Sequence, residues 1–199
     1  MTFFDFNTLP EYAEAVRLEA SVRRNAFCPA LECVCGVWLK PMTPEHVAIL
    51  EAVGNAFVVG SAPTPADVGV FLWALSPSYS PTARFRRWRF YRSVRKLDFI
   101  AAVEQIERLV EDSFMDAPPS AGSKSSTSYC AWPAYLVDLM ASEYGWTDTQ
   151  TLGTPLKRLW QYVYNIRRRR NPDSVGFNPS DRIKGKWLRE LNEQNKANQ

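Results

Sequence analysis

Apolar residues recur at helical spacing along most of the chain, and short segments rich in proline, threonine and glycine separate these stretches. Over 10–25 the apolar positions include Tyr12, Val16 and Ala20, which fall on one side of an α-helix. Pro10 stands where a helix tolerates proline, because the first amides of a helix have no partner within it. The pattern predicts a first helix over 10–25.

Two later segments share one arrangement of helix-start residues. Thr43 precedes Pro44 and Thr64 precedes Pro65, with an apolar stripe after each pair. A threonine side chain can accept a hydrogen bond from a free amide of the first turn. Asp67 stands where its carboxylate would complete a capping box with Thr64. We therefore predict one helix after Thr43 and another after Thr64.

Apolar stripes also predict the helices of the rest of the chain. One stripe begins in the basic segment 84–96 and continues to about Phe114, which predicts a single long helix. Two more stripes, in 132–145 and 156–170, predict helices in the second half of the chain. Thr154 is the predicted cap of the later one, and a terminal helix is predicted after about residue 180.

The predicted fold is mainly α, with at least six helices. One short hairpin is predicted near 33–42, where β-branched and aromatic residues flank Gly36. A multi-helix domain that contains this hairpin is expected over 1–116, and a smaller helical part over 130–199. The segment 117–129 is rich in proline, serine and glycine and has no apolar period, which predicts a flexible linker and a preferred site of proteolysis.

The composition is typical of a globular protein. Of 199 residues, 46% are hydrophobic and 13% are aromatic. Asp5 lies near the N-terminus, where a secretory signal would have lysine or arginine, and no apolar run approaches the length of a membrane span. We expect a protein of the cytoplasm without membrane contact.

Three of the four cysteines lie close together and raise the question of a zinc site. They are Cys28, Cys33 and Cys35, with the only histidine, His46, a short distance along the chain, and Cys130 lies far away. Structural zinc sites usually have two ligand pairs with two to four residues between the members of each pair. Cys28 and Cys33 have four residues between them, but Cys33 and Cys35 have only one, so the sequence does not supply two such pairs. We expect no metal and predict reduced, largely buried cysteines.

Catalytic motifs are absent from the sequence. It contains no G-x-S-x-G elbow, no H-E-x-x-H pair and no glycine-rich phosphate-binding loop. His46 is expected to be a partly exposed polar residue of a helix rather than a general base. Carboxylate pairs such as Asp98 and Glu104 lie in a helix rich in charge, where solvated side chains are expected. The prediction is a protein that is not an enzyme and has no cofactor.

Charge is distributed unevenly, although the formal net charge is only +3. The segment 84–96 has seven basic residues, four aromatic residues and no acidic residue. The segment 157–189 has ten basic residues against Asp173 and Asp181. These two basic segments therefore stand in an acidic background, and they could pair within the fold, between subunits or with an acidic partner.

Three interpretations of the segment 84–96 remain open. If Phe85, Trp88, Tyr91 and Val94 share one side of a helix, these residues can be core while the arginines are solvated. Arginines interleaved with aromatic residues also suit single-stranded nucleic acid, but such binders usually have glycine between these residues and this segment has none. Arginine and tryptophan are also enriched at the energetic centre of protein interfaces, which favours a protein partner.

A resemblance adds a family to these interpretations. The succession "CGVWLKPMTPEHVAILEAVGNAFVVG", "PADVGVFLWALSPSYSP", a basic helix, a loose linker and a further helical segment resembles small proteins of tailed bacteriophages and prophages that lie among the tail genes. Within that group, the portion "ASEYGWTDTQTLGTPL" is similar to tail assembly chaperones. The resemblance covers most of 34–172 and rests on packing and capping residues, so it transfers no catalytic or ligand residue.

The resemblance implies a cytoplasmic assembly factor that binds the tape-measure protein. Contacts with the tail tube protein and self-association stay open as further interactions. A long helical tape measure has apolar stripes that would self-associate if uncovered, and a helical module could cover them. The residues predicted to bind a partner are Arg84, Arg87, Trp88, Arg89, Tyr91, Arg92, Trp160, Tyr164, Arg167 and Arg168. Trp88 and Trp160 are the predicted anchors. The alternatives are a structural virion protein of the neck or tail and a nucleic-acid-binding accessory protein.

Overall fold

A computed structural model of the chain describes residues 9–114, 132–171 and 183. Within these residues the protein has nine helices and one two-stranded antiparallel hairpin, so the predicted mainly α fold is confirmed. The predicted terminal helix and the predicted linker 117–129 lie outside the described residues, apart from Ile183, which is helical. Within the described helices, none is both long and apolar enough to cross a membrane.

The described residues form two compact units, one from within 1–28 and 161–199 and one from within 29–160. The division at 117–129 that the sequence predicts stays a prediction, because that segment lies outside the described residues. Helix α9 continues across the boundary at residue 160.

The first unit contains helix α1, Pro10–Phe27, and the later part of α9, Leu156–Arg170. Ala15 and Ala26 are buried on α1, whereas Val16 is 40% exposed. Phe27 packs edge-on against Tyr162, with 6.2 Å between ring centroids.

The second unit contains the hairpin and most of the helices. Its elements are β1 (Glu32–Val34), β2 (Val37–Leu39), α2 (Pro44–Ala52), α3 (Ala56–Val59), α4 (Pro65–Leu75), α5 (Arg84–Val94), α6 (Phe99–Phe114), α7 (Trp132–Tyr144), α8 (Asp148–Gly153) and the start of α9. The sequence pattern missed the short helices α3 and α8.

Helix α4 is the centre of the second unit. It contacts α2, α3, α5, α6 and β2, and Phe71, Leu72 and Leu75 are completely buried. A helix that is apolar on nearly every side is stable only when other elements surround it. The sequence of α4, PADVGVFLWAL, fits this position because Asp67 is its only charged residue.

The starts of α2 and α4 follow the predicted capping chemistry. The Thr64 amide donates to Asp67 Oδ2 at 2.9 Å, and the Asp67 amide donates to Thr64 Oγ1 at 3.3 Å. Thr43 and His46 form the equivalent pair at the start of α2. The prediction that Thr154 caps the start of α9 was wrong, because Thr154 stands at the C-terminal end of α8 and its hydroxyl donates to the Gln150 carbonyl at 2.6 Å.

The hairpin turns through Cys35 and Gly36, which both have positive φ angles, 47° and 82°. Two such residues match the twist of the flanking strands. The strands pair Cys33 with Trp38 and Val34 with Val37. The Cys35 amide donates to Gln105 Oε1 of α6 at 2.9 Å, which connects the turn to the helical core.

The long helix predicted from residue 84 to 114 is two helices, α5 and α6. The Asp98 carboxylate accepts hydrogen bonds from the amides of Ile100 and Ala101, at 3.0 and 3.3 Å. This carboxylate starts a new helix in place of a continuous one. The sequence pattern did not predict this break, because the apolar stripe continues on both sides of Asp98.

Candidate partner-binding surface on helix α5

One side of α5 is fixed to α4. The rings of Phe90 and Trp73 lie 5.2 Å apart between centroids, and Val94 is 7% exposed. Gly69 lies directly under the Tyr91 ring, since a Cβ at Gly69 would be 3.3 Å from the ring. The buried side of α5 thus holds the helix in a defined orientation.

The opposite side of α5 presents two large aromatic rings to solvent. Phe85 is 67% exposed and Trp88 is 56% exposed. Their rings are stacked, with 6.0 Å between centroids and an interplanar angle of 25°. They are three residues apart, so one helical turn places them side by side.

Two arginines lie over these rings. The Arg89 guanidinium carbon is 6.0 Å from the centre of the Phe85 ring, and that of Arg92 is 5.7 Å from the centre of the Trp88 ring. Both distances are within the range of cation–π attraction. The contacts hold the guanidinium groups beside the rings and leave their N–H donors available.

We define the aromatic–arginine surface as the residues that line one open depression of about 450 Å³ on this side of the helix. They are Phe85, Trp88, Arg89, Arg92, Ser93 and Lys96. None of its three basic residues forms an ion pair with another described residue. The surface therefore combines exposed apolar area with positive charge that the described residues leave uncompensated.

The electrostatic setting of α5 is uniformly basic, because the helix contains no carboxylate. Burial raises the pKa of the Tyr91 hydroxyl, and the nearby Arg87 partly offsets this shift. Tyr91 is therefore neutral at physiological pH and can donate one hydrogen bond.

The structure divides the aromatic residues that the sequence pattern assigned to one side of α5. Phe85 and Trp88 are exposed, whereas Val94 is buried and Tyr91 is half-buried. Each step of three residues turns a helix by about 300°, so three steps displace a side chain by about half a turn. Phe85 and Val94 thus lie on opposite sides.

The predicted partner-binding residues of α5 lie in two groups. Trp88, Arg89 and Arg92 belong to the aromatic–arginine surface. Arg84 and Arg87 are exposed on the same helix outside it, and Tyr91 packs on α4. Phe85, Ser93 and Lys96 complete the surface but were not predicted. Phe85 is three residues from Trp88 and Lys96 is four from Arg92, and this spacing is the signal that could have identified those two.

The predicted residues of α9 are arranged differently. Trp160 is a core residue of the second unit, with 7% exposure, so its ring is not available to a partner in this structure. Its indole N–H donates to the Ser113 carbonyl at 3.0 Å. In the first unit, Tyr164 and Arg167 are partly exposed and Arg168 is exposed.

His46 has a structural role at the start of α2. It is only 9% exposed, so the expectation of a partly exposed residue was wrong. Its Nδ1 accepts a hydrogen bond from the Thr43 amide at 3.2 Å. Burial, together with the nearby Lys40, lowers the pKa of His46 to about 4. The ring is therefore neutral at physiological pH and acts as a helix cap.

The cysteines differ from the prediction that they are largely buried. Cys28 and Cys33 are exposed, and Cys35 is partly exposed in the hairpin turn. Cys130 lies outside the described residues. Across 9–114 and 132–171, no group of three or more histidine, cysteine or carboxylate residues is placed to hold a metal ion.

The chemistry of the aromatic–arginine surface suits recognition. Stacked rings offer flat apolar area at little cost in side-chain entropy, and guanidinium groups offer paired donors to carboxylates. Comparison of the chain with protein-family models, with curated proteins and with solved structures found no match. The surface is therefore interpreted from its own residues.

Proposed function

We propose that this protein is a non-enzymatic assembly factor of a bacteriophage tail, a chaperone that binds the helical tape-measure protein before the tail tube assembles. The observation that carries the proposal is the aromatic–arginine surface, in which Phe85 and Trp88 are exposed side by side while the other side of α5 is fixed to α4. The resemblance of the sequence to tail assembly chaperones supplies the biological setting.

The physical requirement of such a chaperone matches this surface. A partner with an exposed apolar stripe can bury the rings of Phe85 and Trp88, and burial of apolar area is the main source of binding energy. Carboxylates beside that stripe can take the N–H donors of Arg89 and Arg92. Tryptophan and arginine are residue types that concentrate binding energy at protein interfaces.

The test is co-purification of the tape-measure protein of the same tail-gene cluster, with matched variants. Trp88→Ala should weaken capture by about thirtyfold if Trp88 is an interface anchor. Trp38→Ala is the control, because Trp38 is 59% exposed on the hairpin, outside the surface. Equal capture by both variants would contradict the proposed site.

A second pair of variants examines charge. Arg89→Glu reverses a charge within the surface, and Arg86→Glu reverses one at an exposed position of the same helix outside it. Both change the net charge equally, so a loss confined to Arg89→Glu indicates a local contact rather than long-range attraction.

Two further measurements separate the proposal from its rivals. A tail assembly chaperone is absent from purified particles, whereas a structural protein of the neck or tail is present in them. A nucleic-acid-binding protein would bind oligonucleotides with an affinity that falls steeply with salt. Presence in purified particles, or salt-dependent binding of oligonucleotides, would replace the proposed function if the tape-measure protein is not captured.

A further inference from the structure

A second feature of α5 lies beside its contact with α4. A groove of about 470 Å³ runs between α4, α5 and α6, all within the second unit. Its apolar walls include Val68, Val70, Val94, Leu97 and Phe99. This volume is within the range of sites that hold a ligand or several apolar side chains of a partner.

The groove follows from two local features of the sequence. Gly69 has no side chain, so the Tyr91 ring lies close to the α4 backbone and becomes part of the wall. The break between α5 and α6 contributes Arg95, Leu97 and Phe99 to the lining. A continuous helix from residue 84 to 114 would not bend the chain at these residues.

Among the residues that line the groove, Arg95 is the charged one. Arg95 lines it and is exposed, and it forms no ion pair with another described residue. The carboxylates closest in sequence keep their negative charge but are held by hydrogen bonds at the starts of helices. Asp67 accepts hydrogen bonds at the start of α4 and from the Ala56 amide, and Asp98 accepts two at the start of α6.

One polar group in the wall also lacks a partner. Among the described residues, none forms a hydrogen bond with the Tyr91 hydroxyl. A neutral phenol donates readily to a carboxylate or a carbonyl. The groove thus offers an apolar floor, one hydroxyl donor and one guanidinium at its edge.

We propose that this groove binds the apolar side of an acidic amphipathic helix of the partner. Leucine-like side chains at helical spacing would enter between α4, α5 and α6, and carboxylates beside them would meet Arg95 and Tyr91. The inference rests on the proposed function, since it states the chemistry of the tape-measure segment that this chain takes. Arg92 and Lys96, on the adjacent aromatic–arginine surface, extend the same positive field.

The groove can be tested with defined probes and the full-length protein. The probes are three labelled helical peptides of about 20 residues, long enough to be partly helical in water. The first has a leucine stripe and glutamates, the second has the same stripe and lysines, and the third has glutamates with serine in place of leucine. Binding is measured by fluorescence anisotropy.

Two substitutions of the protein alter the groove. One fills it, and the other reverses the charge at its edge. Ala66 is an exposed residue of the lining, so Ala66→Trp fills the groove from its edge with little demand on the core. Ala52→Trp, at an exposed position of α2 outside the groove, is its control. Arg95→Glu is compared with Arg86→Glu, an exposed arginine that does not line the groove.

The glutamate peptide with leucines should bind at least about tenfold more tightly than the lysine peptide or the serine peptide. Ala66→Trp and Arg95→Glu should each lose about tenfold in affinity for it, while the two controls stay near wild type. Circular dichroism checks that every variant is folded.

Several results would overturn the inference. They are no binding of any peptide, equal binding of the lysine peptide, or unchanged binding by folded Ala66→Trp. The inference would also be wrong if Ala66→Trp abolished binding of a single-stranded oligonucleotide or self-association while peptide binding was unchanged. Capture of the tape-measure protein is measured separately. If the groove variants capture the tape-measure protein as well as the wild type does, the groove inference alone is wrong. If the acidic peptide binds the groove but the tape-measure protein is not captured, the proposed function alone is wrong.

Discussion

Helices α5 and α9 have similar compositions, yet their tryptophans lie in opposite environments. Trp88 on α5 is 56% exposed, and Trp160 on α9 is 7% exposed. Trp88 stacks on Phe85 of its own helix, with Arg92 over its ring. Trp160 packs with Phe114 and Trp132, which come from other elements of the same unit, and donates its indole N–H to Ser113.

The difference shows that a basic, aromatic helix does not by itself indicate a binding surface. A tryptophan is buried where another element supplies both an apolar wall and an acceptor for the indole N–H. The arginines of the two helices also differ in their positions. In α9 four of them stand together in the last turn, where they complement the helix dipole, whereas in α5 they are distributed along the helix.

The largest expected effect separates the two tryptophans by stability. Trp160→Ala should lower the free energy of unfolding by about 3 to 5 kcal/mol, because it leaves a cavity and a carbonyl without its donor. Trp88→Ala should lower it by less than about 1 kcal/mol. Urea unfolding followed by circular dichroism measures both. Similar losses for the two variants would remove the contrast between the helices.

A pH experiment asks whether the core of the second unit depends on a buried neutral group. The pKa of His46 is about 4 in the folded protein, below its ordinary value of 6.5. The unfolded chain therefore takes up the proton first as pH falls, and stability is lost below pH 6.5 until the folded pKa is reached. Between pH 7 and 5 the loss from His46 should be about 2 kcal/mol.

The control for this pH dependence is His46→Gln. Glutamine keeps an acceptor for the Thr43 amide and does not titrate. Unfolding by urea at pH 7 and pH 5 should show a smaller loss for this variant than for the wild type. The same loss in both proteins would assign the pH dependence to other groups.

A smaller substitution sharpens the account of Trp160. Trp160→Phe keeps an aromatic ring in the core but removes the N–H that Ser113 accepts. We expect a loss of about 1 to 3 kcal/mol, between the wild type and Trp160→Ala. A phenylalanine variant as unstable as the alanine variant would show that the hydrogen bond to Ser113, rather than the volume of the ring, dominates.

The smallest expected effect concerns the arginines of the surface. Arg89→Ala and Arg92→Ala remove exposed cation–π contacts, each worth roughly 0.5 to 1 kcal/mol at most. Thermal melting should therefore change little. A large drop in melting temperature would mean that these arginines support the fold, and the surface would lose its functional interpretation.

Local chemistry was the part of the fold that the sequence could predict. Thr43 and Thr64 cap helices because their partners stand three residues away, and the hairpin follows from a two-residue turn at Gly36. The burial of Trp160 could not be predicted, since its acceptor, Ser113, is far away along the chain. The exposure of Trp88 could have been read from helix geometry, because Val94 lies half a turn away from Phe85.

The break after α5 has a consequence for how this protein can change over generations. Asp98 begins α6 by itself, so the register of α6 does not depend on the residues of α5. Substitutions at Phe85, Trp88, Arg89 or Arg92 leave the capping of α6 and the contacts of Phe90 with Trp73 in place. A lineage can therefore change the exposed side of this helix by single mutations without passing through unfolded intermediates.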